Sequence, residues 1–301
     1  MYFFNRYIFL LFYIPLFLSF KDMYRNRLLQ SKLYLKFNKN IDVQNILHIK
    51  TKRSFSENEN SLFLNENEFI RDKKLISISP GGFKGFYMMG ICKFIKKNYD
   101  LDNYIFSGAS AGAWNSLTLC LKKDIDEFQA KVLDTTLQNV NNLFDVENIA
   151  KNKILESYTT EDFDLHRLFI GVTTIEKYKT NTTIFTGFDN LEDALNCCIA
   201  SSHIPLITGG FTNMYRNILS FDGGFSKYPY LNITKSVLHI TPSIWEKENN
   251  KIKRGSGSII DYANLFSKKK YNYVELVENG YNDCQKNKNY LDKLFDIKNS
   301  S

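Results

Sequence analysis

The sequence predicts an α/β fold built on a mostly parallel sheet, and three features predict it. Short apolar runs with little polar alternation, Leu75–Ser79 and Asn103–Ser107, suit strands buried on both faces. A stretch of helical period follows each of them, Phe86–Lys97 and then Ala111–Leu121. Glycine-rich turns, Pro80-Gly81-Gly82 and Gly108-Ala109-Ser110-Ala111-Gly112, separate strand from helix.

The chain opens differently. Arg6 precedes an apolar run from Tyr7 to Phe20. Fourteen residues is shorter than the roughly 20 that a membrane-spanning helix needs, and suits a signal-peptide core or an uncleaved anchor. Between Lys21 and Ser54 stand nine Lys or Arg and only Asp22 and Asp42 as acids; Phe55–Phe69 then carries Glu57, Glu59, Glu66 and Glu68 with no base. Residues 1–20 are therefore expected to be a signal or anchor, 21–72 a leader and linker, 73–290 the catalytic domain and 291–301 a tail. A location on a membrane or in the secretory pathway follows. A basic, acid-poor stretch behind such a run also suits a two-part presequence for an organelle such as a plastid.

The first helix should turn Met89, Cys92, Phe94 and Ile95 inward. The junction of the second strand and helix is G-x-S-x-G, a nucleophile elbow. Such a turn lifts the Ser110 hydroxyl out of the sheet, while Gly108, Ala109, Ala111 and Gly112 let neighbouring chain come close. The helix N-terminus beneath Ser110 adds positive partial charge where an oxyanion develops. One strand earlier, Gly81-Gly82-Phe83-Lys84-Gly85 lacks the phosphate-loop spacing and is placed to form an oxyanion hole, with Lys84 read as structural.

Three histidines follow Ser110: His166, His203 and His239, all read as packing or surface residues. Asp222 is different, because it ends the strand-like Ile218–Phe221 and opens Asp222-Gly223-Gly224. A carboxylate at a strand's C-terminal end, with Gly223 and Gly224 clearing space, lies where α/β sheets build their sites. None of the five cysteines forms a metal-type pair; Cys92, Cys120 and one of Cys197 and Cys198 read as core.

Taken together, the glycine loop 81–85 behind Pro80, the elbow around Ser110 and the Asp222-Gly223-Gly224 turn resemble the patatin-like phospholipases, in the family's order. The small-residue stretch Ala200–Pro205 adds to the likeness, which covers about residues 74–230. Pro80 departs from it, standing where the family usually has a first glycine and carrying no N–H. The resemblance implies a three-layer α/β/α fold, a Ser110–Asp222 dyad without a catalytic histidine, and no metal or cofactor. It also implies hydrolysis of fatty-acyl esters in phospholipids, lysophospholipids or neutral glycerolipids through an acyl-enzyme.

Rival readings are a histidine-dependent α/β-hydrolase using Ser110, Asp222 and His239, an acyl-carrier transacylase, and a catalytically silent lipid-binding protein. The first lacks an upstream HGGG loop, and the second is expected to place histidine where Ala109 stands. A net charge of +7 favours anionic lipid surfaces as partners. No nucleic-acid motif accompanies it, and the basic residues form no stripe. Protein partners leave no mark in the sequence.

The leader is directly testable. A fluorescent reporter fused behind Met1–Asp72 should accumulate on membranes or in the secretory route when imaged in cells. A diffuse cytosolic signal contradicts that expectation.

Overall fold

Alternation along the first strands decides which side chains meet which layer. In β1 (Lys74–Ile78), Ile76 and Ile78 enter the main hydrophobic core while Leu75 joins a smaller cluster. In β2 (Tyr104–Gly108), Phe106 and Ile105 divide the same way. The computed structural model describes residues 70, 72–140, 143–176, 179–231, 236–246 and 272–295. They all belong to one compact unit.

Between and after these strands come α1 (Gly85–Asn98), α2 (Ala111–Cys120), α3 (Ile125–Val132), α4 (Thr135–Gln138) and α5 (Leu143–Ser157). The chain continues through β3 (Leu168–Glu176), β4 (Lys179–Phe185), α6 (Leu191–Ser201), β5 (Asn213–Tyr215), β6 (Ile218–Phe221) and β7 (Ser236–Ile240). Two helices, α7 (Tyr273–Lys286) and α8 (Lys288–Leu294), close the described residues. Every one of these helices contributes to the core that holds Ile76, Ile78 and Phe106. On the other face Leu75, Ile105 and Phe169 pack with Ile70 and Leu231.

The sheet runs β5-β6-β3-β2-β1-β7, with β4 also on β3. The pairs β1–β2, β1–β7 and β2–β3 are parallel, and β3–β4, β3–β6 and β5–β6 are antiparallel. The strands are therefore mostly parallel, β4 and β6 alone running the other way, and helices flank the sheet in an α/β fold. The register holds the feature that matters most. Gly108 at the end of β2 sits opposite Ile170, and Phe221 at the end of β6 sits opposite Thr173. Since β4 occupies the other side of β3 at both positions, β2 and β6 share one side and stop head to head.

Helix α2, directly behind β2, is buried almost all round, from Gly112 and Ala113 through Asn115–Cys120. Helix α1 buries Met88, Met89, Ile91, Cys92, Phe94 and Ile95, including the four expected positions. Its outer side is locked by α7 through paired glycines. A Cβ on Gly90 would lie 2.0 Å from Val277 O, and one on Gly280 would lie 2.0 Å from Tyr87 O. Tyr273 at the start of α7 stacks on Phe86 and Phe83, with ring centroids 4.2 and 5.6 Å away.

Predicted and observed strand and helix ends in this first half differ by about one residue. Strand β3 is the longest of the described strands, its later half running on to Glu176 between β4 and β6. The β5–β6 hairpin turns on Arg216 and Asn217, both at positive φ, as a two-residue primed turn demands. The apolar run Tyr7–Phe20 and the leader through residue 69 lie outside the described residues. Among the described residues no helix is long and apolar enough to cross a membrane. All five cysteines are buried free thiols, Cys284 included.

The glycine contact gives a stability test. Gly90→Ala forces α1 and α7 apart and should cost about 1–3 kcal/mol, the usual range for overpacking. At roughly 2–4 °C per kcal/mol the melting temperature falls by several degrees. Gly210→Ala, whose Cβ meets nothing within 4 Å, is the control and should leave the melting curve in place.

Candidate active site

The elbow begins where β2 ends. Ser110 is held at φ 54° and ψ −128°, a conformation that side-chain-bearing residues rarely adopt. The turn is closed by Gly112 N–H donating to Ala109 O (2.9 Å) and Ala113 N–H to Ser110 O (2.8 Å). No side chain fits at Gly112, where a Cβ would stand 2.2 Å from Ile78 O. The Ser110 amide donates to Ser201 Oγ (2.8 Å), and that hydroxyl donates onward to Gly171 O (2.6 Å). Ser201 thus ties the strained turn to β3.

Asp222 arrives from the opposite direction at the end of β6. Its amide donates to His203 O (2.8 Å), its carbonyl accepts from Thr173 Oγ1 (2.8 Å), and its Oδ1 accepts from Gly224 N–H (2.6 Å). The carboxylate is buried, with the residue 3% exposed, and the Ser110 side chain is near enough to act on it. Burial raises the carboxyl from its ordinary 3.8 to about 6, against the opposing pull of Ser110 and the Gly224 amide.

Running in parallel with β2, strand β1 delivers the glycine loop to the same place. Gly82 adopts φ 52° and opens a short 3-10 turn through Lys84. Lys84 N–H donates to Gly81 O, and Gly85 N–H turns to Gly82 O and Phe83 O. Of the five loop residues expected to form an oxyanion hole, Lys84 and Gly85 therefore commit their amides to the turn itself. The amides of Gly81 and Gly82 have no acceptor among the described residues. Asn115 Nδ2 donates to Gly85 O (3.1 Å) and Ala111 O (2.9 Å), stitching the loop's helix to the nucleophile's helix.

Ser110, Asp222, Gly82 and Ala111 all line one cavity with about 820 Å³ of empty space, part of it open to solvent. Its walls are mainly apolar, with Phe86, Met89, Leu117, Phe128, Val146 and Ile154 among them. The apolar lining suits an apolar ligand such as a hydrocarbon chain.

The histidines stand apart from this cavity's lining. His239 sits on β7 with Nδ1 2.8 Å from Ser77 Oγ and its ring beside Tyr230. His203 supports Asp222 through its backbone, and burial holds its imidazole below the ordinary value. His166 lies exposed just before β3. Sequence reasoning missed Ser201, Asn115 and Glu147. Ser201 lay in a stretch singled out only as small residues before Pro205. Asn115 and Glu147 lie on helices whose other residues explain the periodicity, so neither left a signal.

A family model described as patatin-like phospholipase matches residues 76–231, just over half of the 301 residues. That span contains the glycine loop, the elbow and the Asp222 turn. No curated protein matches the chain.

Burial of Asp222 makes a signed stability prediction. The folded carboxyl near 6 exceeds the ordinary 3.8, so the folded state pays for an ionised buried acid above about pH 6. The penalty shrinks as pH falls from 6 and vanishes below 3.8. Asp222→Asn removes it and should raise stability at about pH 7.5 by on the order of 2–3 kcal/mol, with no gain near pH 3.5. Urea midpoints at the two pH values measure this; equal midpoints at pH 7.5 contradict it.

Proposed function

The chain belongs to the patatin-like phospholipase family, the family of lipid acyl hydrolases, and from that premise we propose that it cleaves fatty-acyl esters with Ser110 as nucleophile and Asp222 as base. The substrates are phospholipids, lysophospholipids or neutral glycerolipids. The observation that supports this reading best is the meeting of the Ser110 side chain and the Asp222 carboxylate at an apolar cavity.

In this scheme the Asp222 carboxylate accepts the Ser110 proton as Oγ bonds to the ester carbonyl carbon. The oxyanion takes hydrogen bonds from the Gly81 and Gly82 amides, with the N-terminus of α2 adding positive partial charge. The carbon–oxygen bond to the glyceryl alcohol then breaks, and Asp222 returns the proton to that leaving oxygen. Water repeats the sequence on the acyl-enzyme: Asp222 takes its proton, the hydroxyl adds, and Ser110 leaves reprotonated with release of the fatty acid. A carboxylate raised to about 6 is a stronger base than an ordinary one and remains ionised at neutral pH.

Exposed apolar side chains flank the same cavity. Phe144 follows Leu143, and Leu206, Ile207 and Phe211 surround Thr208; Leu143 and Thr208 both line the cavity. The two segments touch, since a Cβ on Gly209 would lie 3.6 Å from the Phe144 ring. This apolar rim is suited to meet a lipid surface.

Ser110→Ala should abolish ester turnover and fluorophosphonate labelling. Asp222→Asn should lose a factor of order 10²–10⁴, the usual worth of a general base. His166→Ala, His203→Ala and His239→Ala should each remain within about tenfold of wild type. Wild-type turnover should climb with pH through about 6 and then level, because the base must be deprotonated. Chelators should change nothing. A dead His239→Ala enzyme beside an active Asp222→Asn enzyme overturns the dyad.

A further inference from the structure

The cavity holds a carboxyl group that the dyad does not use. Glu147, on α5, lines it among apolar neighbours and is 8% exposed. The groups that act on it are the Ser202 hydroxyl and the charge of Asp222, and neither is a cation. Burial chiefly raises the Glu147 carboxyl well above its ordinary value, with the charge of Asp222 adding to the rise and the Ser202 hydroxyl opposing it.

The Ser202 hydroxyl has other partners. Its hydrogen is donated to Cys198 O at 2.8 Å. It accepts from Trp114 Nε1 at 3.3 Å. With that hydrogen committed, the Glu147 carboxyl presents acceptor oxygens in a mainly apolar space, as a carboxyl does whether or not it holds a proton. Asn115 lines the same cavity with both described Nδ2 bonds made to backbone, and its buried Oδ1 has no partner among the described residues. Two acceptors at one apolar cavity are complemented by a ligand that brings a hydrogen-bond donor.

We propose that Glu147, with Asn115, selects acyl chains bearing a hydroxyl group near the ester end. The position follows from the fold. Ser202 adjoins Ser201, which holds the Ser110 amide at 2.8 Å, so Glu147 flanks the early carbons of a chain esterified to Ser110. Ala150 and Ile154, one and two turns further along α5, wall the space beyond. This inference rests on the ester-hydrolase reading and concerns its substrate class.

The test uses lysophosphatidylcholines with dodecanoyl chains that are plain, hydroxylated, or methoxylated at the same carbon, scanned from C3 to C8. At the favoured carbon the wild type should cleave the hydroxyl chain at least as well as the plain one, by kcat/KM, and about tenfold better than the methoxy chain. Glu147→Leu should lower the hydroxyl-to-plain ratio about tenfold. Glu147→Gln, which keeps a carbonyl acceptor in the same place, should retain it. A ratio unchanged in Glu147→Leu, or equal losses in Leu and Gln variants, overturns the proposal. Calorimetric binding of hydroxydodecanoate and dodecanoate to Ser110→Ala protein gives the same ratio without turnover. If wild type cleaves no ester while that binding preference stands, the hydrolase reading fails and the Glu147 assignment survives.

Discussion

Everything at the site depends on one side of β3 being shared by two strands that approach from opposite directions. Strand β2 ends against Ile170 and β6 ends against Thr173, so the residues that follow them have only a short stretch of β3 between them. Backbone geometry therefore fixes the spacing of Ser110 and Asp222 before any side chain acts. Crowding at the junction is correspondingly severe: a Cβ on Gly223 would stand 2.3 Å from Gly171 O and 2.7 Å from the Ala109 methyl. Ser201 and Thr173 supply the hydrogen bonds that a continuous strand would otherwise have made there.

The cavity and the acid at its end are coupled through dryness. Apolar walls that accept a hydrocarbon chain also strip water from Asp222, and that desolvation is the chief cause of its raised value. A wetter cavity would suit a hydrocarbon chain less well and leave the Asp222 carboxyl nearer its ordinary value. Glu147 feels the same environment, and burial raises its carboxyl well above its ordinary value too. Two carboxyl groups thus meet one dielectric, and their hydrogen-bond partners set them apart: Asp222 has a backbone amide and Ser110, whereas Glu147 has Ser202.

Much of this was legible in sequence because the decisive elements are local. An elbow is written in five consecutive residues, and the apolar runs of β1 and β2 need no tertiary information. The direction of β6 was not legible. Asp222 was expected at the C-terminal end of a strand in a parallel sheet; β6 is antiparallel to β3 and reaches the site because it lies further along its neighbour. Strand β4 was missed because Lys179–Asn181 are exposed polar residues and carry no apolar run. The glycine loop was legible as a unit, but which of its amides lack an acceptor among the described residues depends on a 3-10 turn that composition does not encode. Serine is common in any small-residue stretch, so Ser201 could be recognised only by where its hydroxyl points.

The paired glycines of α1 and α7 have a consequence in time. Helix α1 carries the glycine loop at its start, and the ring of Tyr273, from α7, stacks against Phe83 within that loop. Most of the chain, including every described strand except β1, is synthesised between these two helices. During vectorial synthesis Ser110 and Asp222 can come together while the glycine loop still lacks its backing, and that loop is packed only when α7 emerges and docks on α1.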